Sequence, residues 1–116
     1  QSNSFFNYSA KTSSTSGDPS SNFISWNNAV QTGSTQIQVS EVDTLGNNLD
    51  IFLGTLASGS IIVLQDKAAH TNYQRWMVGT STDNGTWYSF PVTLQSQAGT
   101  STFTNNQDII LITMYL

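Results

Sequence analysis

Hydrophobic and polar residues alternate with a period of two in several short stretches of the chain. The stretch "TQIQVSE" places Ile37 and Val39 on one face and its Gln and Ser side chains on the other, which is the pattern of a half-buried β-strand. The stretches "FISWN", "YQRWMVG" and "TWYSFPVTLQ" alternate in the same way, and "SIIVLQD" is a continuous apolar run of strand length. The alternation therefore predicts an all-β domain.

Two of the predicted strands have features that bear on their position in a sheet. Pro91 interrupts "TWYSFPVTLQ", and because proline has no backbone N–H to donate, this strand is expected at a sheet edge or at an irregularity. The last stretch, "DIILITMYL", is apolar on both faces. It is expected to lie centrally in a sheet or to be covered by another subunit.

The segment "NNLDIFLGTLASG" has the spacing of a helix rather than of a strand. Its apolar residues recur at i, i+3, i+4 and i+7, as in one stripe of an amphipathic helix; they are Leu49, Phe52, Leu53 and Leu56. Either asparagine before the stripe can cap the start, and Gly59 can end the helix in the left-handed conformation. We expect one short helix around residues 48–57, plugging one end of an all-β sandwich or barrel.

Residues 1–22 differ in composition from the rest of the chain. They are mostly Ser, Thr, Asn and Gly, with an aromatic group at Phe5, Phe6 and Tyr8. Such a composition fits a loose leader, or else an extended arm whose aromatic side chains pack into a core or a neighbouring subunit. We expect residues 1–22 to be an N-terminal arm or linker and residues 23–116 to be the folded domain.

The low charge of the chain limits the partners that it can bind. Charged residues make up 9% of the sequence, against roughly 25% in an average globular protein, so the polar surface is built from Ser, Thr, Asn and Gln. Three basic and seven acidic residues give a net charge of -4. This balance argues against binding to nucleic acid or to anionic membranes, which need clustered Lys and Arg.

Neither a membrane span nor a cysteine-based site is expected. Apolar runs in the sequence are shorter than the roughly 20 residues that cross a bilayer, so we expect no membrane insertion. The chain contains no cysteine, which excludes disulfides and thiolate chemistry. A surface of hydroxyls and amides instead suits an uncharged, hydroxyl-rich partner or close packing against copies of the same chain.

Enzymatic chemistry finds little support in the sequence. His70 is the only histidine and lies in a polar turn, "KAAHTNYQ", without a nucleophile in a strand-turn-helix context nearby. A glycosidase would need two carboxylates across a cleft, but Asp66, Asp83 and Asp108 each lie at a predicted strand end or turn, where Asp is common. A small hydrolase is therefore the least favoured hypothesis, and we expect no enzyme and no cofactor.

The stretch "SEVDTLGNNLD" is the most acidic part of the chain and was tested as a calcium loop. Counted from Glu41, an EF-hand places oxygen ligands at positions 1, 3, 5 and 12 and Gly at position 6, where Gly46 stands. Asp43 fits position 3, but Leu45 and Phe52 occupy positions 5 and 12, and neither can bind calcium. We expect no metal here; the stretch is interpreted as a turn that leads into the helix.

Aromatic residues near strand ends offer a better candidate site. Exposed Trp and Tyr stack on the apolar faces of sugars while Asn, Gln and Asp bind the hydroxyls, although in a small all-β domain such rings are more often core. The loops "TSTDNG" and "DKAAHTN" can carry recognition residues. The candidate ligand-binding residues are Trp87, Tyr73, Asp83, Asn84 and His70.

Five pieces of the chain, taken in their order and spacing, resemble a known family. They are "GDPSSNFISWNNA", "QIQVSEVDTLGNNLDIFLGTLASGSIIVLQD", "NYQRWMV", "STDNGTWYSFPVTLQSQAGT" and "NNQDIILITMY". The family is the C-terminal head domain of phage and other viral fibre proteins, which often follows a collagen-like stalk. The resemblance spans roughly residues 6–115, and the family defines no catalytic residues that could be carried over.

The resemblance implies a fold, an assembly and a role. The fold is an antiparallel, jelly-roll-like β-sandwich head over residues 23–116, with residues 1–22 as the linker from the fibre stalk. The assembly is a homotrimer at the tip of an extracellular virion fibre. The implied role is attachment to a host-surface glycan or protein receptor; the alternative is a structural module that caps and registers the trimeric fibre without binding the host.

Overall fold

The computed structural model describes residues 3–99 and 102–114, with side chains from Phe5 onward in those ranges. This part of the chain contains eight β-strands, one short α-helix and one 3₁₀ turn. The strands are β1 (Asn3–Lys11), β2 (Phe23–Trp26), β3 (Gln36–Ser40), β4 (Ile61–Asp66), β5 (Tyr73–Val78), β6 (Thr82–Asp83), β7 (Trp87–Ala98) and β8 (Asp108–Met114). The helix is α1 (Asp50–Gly54), and the 3₁₀ turn is Gln31–Gly33. The predicted all-β class with one short helix is confirmed.

Seven of the strands close into a barrel. Their order is β3-β2-β1-β8-β4-β5-β7, and β7 pairs back onto β3. Neighbouring strands are antiparallel except β1 and β2, which are parallel. The two-residue strand β6 is an addition that pairs with the start of β7.

The closed barrel corrects the jelly-roll-like β-sandwich that the resemblance implied. Closure depends on the length of β7, which has twelve residues. Its first part, up to Pro91, pairs with β3, and its second part, from Val92, pairs with β5. The sheet edges that a sandwich would leave open are thereby joined. Pro91 lies at this change of partner, and the strand is not at an edge. The register shift in this strand lies at Gln95, between the residues that pair with Arg75 and Trp76.

Inward-facing side chains fill the barrel with a single core. The largest fully buried aromatic residues are Trp26, Trp76, Tyr8, Phe90 and Phe103. Trp26 and Trp76, which lie in the predicted strands "FISWN" and "YQRWMVG", are therefore core residues rather than binding residues. Among the described residues, no helix is long and apolar enough to cross a lipid bilayer.

Strand β1 belongs to the barrel and not to a separate arm. It pairs with β2 on one side and β8 on the other, and its Tyr8 and Ala10 lie in the core. A domain boundary at residue 22 therefore divides the barrel, and the aromatic group of this segment packs into the core of its own chain, apart from Phe5. The polar residues that suggested a leader, Asn7 and Ser9, lie between the inward positions. Residues 1 and 2 lie outside the described residues.

Helix α1 is shorter than the 48–57 predicted. It begins at Asp50, whose backbone N–H donates to the Asn48 side chain at 2.9 Å, and it ends at Gly54. The predicted apolar stripe is nevertheless buried, because Leu53 lies within the helix and Leu56 follows it into the core. A β-carbon on Gly54 would stand 3.0 Å from the Tyr88 hydroxyl, so this helix approaches β7 where only glycine fits without adjustment.

A network of buried amides crosses the barrel interior. The indole N–H groups of Trp26 and Trp76 both donate to Oε1 of Gln74, at 2.9 and 3.1 Å. Nε2 of Gln74 donates to Oε1 of Gln31 at 2.9 Å, and Nε2 of Gln31 donates to the Phe103 carbonyl at 2.8 Å. Because these groups are buried, the network satisfies donors and acceptors that would otherwise lower stability.

Candidate functional site

The acidic stretch forms a turn at the barrel end that carries α1, here called the helix end. Asp43 is only 1% exposed. Its Oδ1 accepts hydrogen bonds from the backbone N–H groups of Leu45 and Asn47 at 3.0 and 2.9 Å, and its Oδ2 accepts one from Nδ2 of Asn47 at 3.1 Å. The carboxylate therefore organises the turn itself, and the interpretation as a turn before the helix is confirmed.

Three other carboxyl groups meet beside this turn. The Tyr88 hydroxyl lies 2.6 Å from Oδ1 of Asp50 and 3.3 Å from Oδ2 of Asp83. Glu41 completes the group: burial, the negative charges of Asp50 and Asp83, and a hydrogen bond with Asp50 raise its pKa. We call Glu41, Asp50, Asp83 and Tyr88 the carboxyl cluster.

The carboxyl cluster joins three elements rather than presenting an open metal site. Burial, followed by its contacts with Asp50 and then Asp83, raises the pKa of Tyr88, so its hydroxyl stays protonated and available as a donor. Through it β7 is held to α1 and to β6. No group of three or more His, Asp or Glu residues in the described ranges has an arrangement that could hold a metal ion.

The turn between β6 and β7 brings together three of the predicted ligand-binding residues. Asn84 donates its backbone N–H to the Trp87 carbonyl at 2.9 Å, and Gly85, at a φ of 98°, donates to Oδ1 of Asp83 at 2.9 Å. Asp83 and Asn84 are exposed and Trp87 is partly exposed. An indole, a carboxylate and an amide thus share one short turn, a combination that suits a hydroxyl-rich ligand.

The turn is anchored to its surroundings on both sides. Nδ2 of Asn84 donates to the Ser89 hydroxyl at 3.3 Å. The Thr86 hydroxyl donates to Oδ2 of Asp18 at 3.1 Å, which connects the turn to the loop before β2. A turn held in this way presents its side chains in a defined arrangement.

The other two predicted residues, Tyr73 and His70, lie at the opposite end of the barrel. Tyr73 pairs with Ala98, the last residue of β7, whereas Trp87 is its first. His70 is exposed in the loop between β4 and β5. The five residues therefore do not form one site, because strand pairing separates them along the length of β7.

A groove of about 290 Å³ beside the loop between β4 and β5 contains two carboxyl groups. It is lined by Asp66, Lys67, Ala68, Gln107 and Asp108. Hydrogen bonds from the Ala68 backbone, from the Asn72 and Gln107 side chains and from the Ala69 backbone lower the pKa of Asp66. A general acid needs a raised pKa, so Asp66 does not fit that role; its hydrogen bonds with Ala68 and Asn72 hold the loop.

A further surface lies on the outside of the barrel, across β1, β8, β4 and β5. Seven of its outward side chains are apolar, and we call them the apolar wall: Phe5, Ile61, Val63, Met77, Ile110, Ile112 and Met114. Asn7, Gln65, Arg75 and Asp108 face outward on the same strands. The sequence signal for it was the final stretch, apolar on both faces. Strand β8 does lie centrally, as one of the two alternatives predicted, yet its outward face remains partly exposed.

The comparisons with known proteins add no further constraint. No protein-family model matches the chain, and neither the curated proteins nor the solved structures contain a significant match.

Proposed function

We propose that this domain is the head of a homotrimeric viral fibre, such as a phage tail fibre, and that it binds a host-surface glycan through the turn between β6 and β7. The observation that carries the proposal is the grouping of Trp87, Asp83 and Asn84 on that turn. The proposed location is the fibre tip of the virion, outside the host cell. The role requires neither catalysis nor a cofactor.

Physical chemistry connects this turn with a neutral saccharide. The indole of Trp87 can cover the apolar face of a sugar ring, while the Asp83 carboxylate and the Asn84 amide bind hydroxyl groups. The low charge of the chain favours an uncharged ligand over a phosphate-rich or lipid surface. Three such sites on one rigid head would raise the affinity for a cell surface well above that of each single site.

A pair of aromatic substitutions tests the binding site. Trp87→Ala is expected to weaken binding of the purified domain to host cells, or to a hit from a glycan array, by roughly 30-fold, or about 2 kcal/mol, as for a central aromatic contact. Tyr73→Ala is the matched control, since it removes an aromatic side chain at the other end of the barrel. Equal losses in both variants, or a loss only in Tyr73→Ala, would place the site elsewhere.

The alternative role is a structural module that caps and registers the trimeric fibre without binding the host. The apolar wall favours this candidate, because an exposed apolar surface serves assembly whether or not a receptor binds. A trimer that binds neither host cells nor any glycan on the array would support this capping role against the receptor-binding one.

A further inference from the structure

The apolar wall follows directly from the pairing register of the barrel. Phe5 is paired with Ile112, Ile112 with Val63, and Val63 with Arg75, so these four side chains form one outward row across four strands. The next row contains Met114, Ile61 and Met77. Their inward neighbours along each strand are core residues, so the wall lies on the opposite face from the core.

The wall is only partly covered by the chain itself. Phe5 at one margin is 69% exposed and Met77 at the other is 40% exposed. Val63, in the middle, is 8% exposed and lies outside the hydrophobic core cluster. A contiguous apolar surface of this kind on a monomer marks an interaction site.

The distribution of charge favours a second copy of this chain as the partner. Arg75 is the charged side chain in the rows of the wall. Asp18, Glu41, Asp50 and Asp83 lie at or beside the helix end. Asp66 and Asp108 line the groove at the opposite end, so the carboxylates flank the two rows of the wall and do not lie within them. Two copies of a protein with a net charge of -4 can therefore approach through the wall with the least repulsion.

The barrel geometry fits three copies around an axis. Seven strands in a closed barrel are about 51° apart around its axis, so the outward faces of the adjacent strands β8 and β4 diverge by about that angle. In a three-fold ring the two contact surfaces of each subunit diverge by about 60°. The β8 face of one copy can therefore pack against the β4 face of the next, and so on until the ring closes.

From this geometry we infer that the apolar wall is the contact between copies in the proposed trimer, with β8 of one copy against β4 of the next. The strands that flank this contact are β1 and β5, so Phe5 of one copy lies beside Met77 of its neighbour.

Met77 borders a groove of about 270 Å³ that is also lined by Gly79, Pro91 and Val92. A groove of this size has room for the Phe5 ring. The inference rests on the homotrimer of the proposed function and identifies its interface.

Two lysine substitutions on the wall test the inference by the mass of the particle in solution. The unmodified domain is expected at three times the 12.6 kDa of one chain in light scattering. Ile112→Lys and Phe5→Lys are expected to shift it to the mass of one chain, with the circular dichroism of the folded barrel retained. Phe5→Lys guards against a folding defect, because Phe5 is exposed within its own chain and contributes little to the core.

Ile51→Lys is the matched control, since Ile51 is 83% exposed on α1, away from the wall. It is expected to keep the mass of the unmodified domain. The inference would be overturned if the unmodified domain had the mass of one chain. It would also be overturned if the wall variants kept three times that mass.

Binding separates this inference from the receptor proposal. Monomeric wall variants displayed at high density on beads should still bind host cells through the turn between β6 and β7, because multivalency is restored by the bead. If the unmodified trimer forms but does not bind, the receptor proposal fails while the interface stands; if the unmodified domain is a monomer and binds host cells on beads, the interface fails while glycan binding stands.

Discussion

The two sides of the barrel differ in how their outward side chains are satisfied. On one side lies the apolar wall; on the other lies what we call the polar wall, formed by outward residues of β2, β3 and the start of β7: Ser25, Gln36, Gln38, Ser40 and Ser89. The Ser25 hydroxyl donates to Oε1 of Gln38 at 2.8 Å, and Nε2 of Gln38 donates to Oε1 of Gln36 at 3.0 Å. The polar wall is thus complete within one chain.

The difference indicates where the molecule needs a partner. Buried amides and hydroxyls on the polar wall find donors and acceptors across neighbouring strands of the same chain, so another subunit would add nothing there. Apolar side chains on the other wall gain only when water is removed from them, which the single chain does incompletely. Assembly should therefore involve one wall and leave the other unchanged.

The largest effect is expected at Asp43, the buried polar group whose hydrogen bonds are most completely made within the chain. Replacing Asp43 by Ala removes a buried carboxylate and three hydrogen bonds, and should lower the free energy of unfolding by about 3 kcal/mol. Chemical denaturation of the variant measures the loss. Asp43→Asn keeps one acceptor oxygen and should lose less. A loss in the alanine variant no greater than in Asp43→Asn would mean that the carboxylate does not organise the turn.

Breaking the polar wall should affect stability without affecting assembly. Gln38→Ala leaves the Ser25 hydroxyl and the Gln36 amide without their buried partner, and should cost about 2 kcal/mol. Denaturation and light scattering on the same samples separate the two readouts. Gln95→Ala, at an exposed position of β7, is the control and should be nearly neutral. A change of particle mass in Gln38→Ala would contradict the contrast between the walls.

The apolar wall should make thermal stability depend on protein concentration. Because dissociation accompanies unfolding of a trimer, a tenfold increase in concentration should raise the Tm of the unmodified domain by roughly 4 °C. For Phe5→Lys the Tm should be independent of concentration. Differential scanning calorimetry at two concentrations measures both. If the Tm of both proteins depends on concentration in the same way, the apolar wall does not differ from the polar wall in its part in assembly.

The smallest effect concerns the carboxyl cluster at the helix end. The pKa of Glu41 is raised above its ordinary value of 4.5 by burial and by Asp50 and Asp83, so the folded state binds its proton more tightly than the unfolded state. Stability is therefore lost as the pH rises through this raised pKa and stays lower at pH 7. Glu41→Gln should raise the free energy of unfolding at pH 7 by about 0.5 kcal/mol.

Measuring the pH dependence checks the sign. Well below pH 4.5, where Glu41 is protonated in both the folded and the unfolded state, the advantage of Glu41→Gln should disappear. Asp108→Asn, a change to an exposed carboxyl group at the other end of the barrel, serves as the control. A variant that is less stable than the unmodified domain at pH 7 would show that Glu41 is not repelled there.

Local patterns predicted the elements well and the long-range pairing poorly. The alternation around Ile37 and Val39 and the stripe through Leu53 report on side chains a few residues apart, and both are confirmed. Closure of the barrel depends on β7 reaching β3 and β5 in turn, which no local periodicity encodes. For the same reason the sequence predicts an arm where β1 lies, because Tyr8 and Ala10 can be recognised as inward-facing only once β1 is paired with β2 and β8.

The candidate site shows the same difference between residues that are close in sequence and residues that only strand pairing brings together. Asp83, Asn84 and Trp87 were predicted together because they are neighbours in sequence, and one turn does hold them. Tyr73 was grouped with them on chemistry alone, although strand pairing places it at the other end of β7. The contact of Tyr88 with Asp50 joins residues far apart in the chain, and the sequence carried no signal for it.

Disulfide trapping between two different variants tests most directly whether the apolar wall joins neighbouring copies. The chain has no cysteine, so Phe5→Cys and Met77→Cys each introduce a single thiol that cannot form a bond within its own chain. After the two variants are refolded together and oxidised, non-reducing electrophoresis should show disulfide-linked dimers in the mixture and only monomers in either variant alone. Absence of dimers from the mixture, or dimers in Phe5→Cys alone, would contradict the interface.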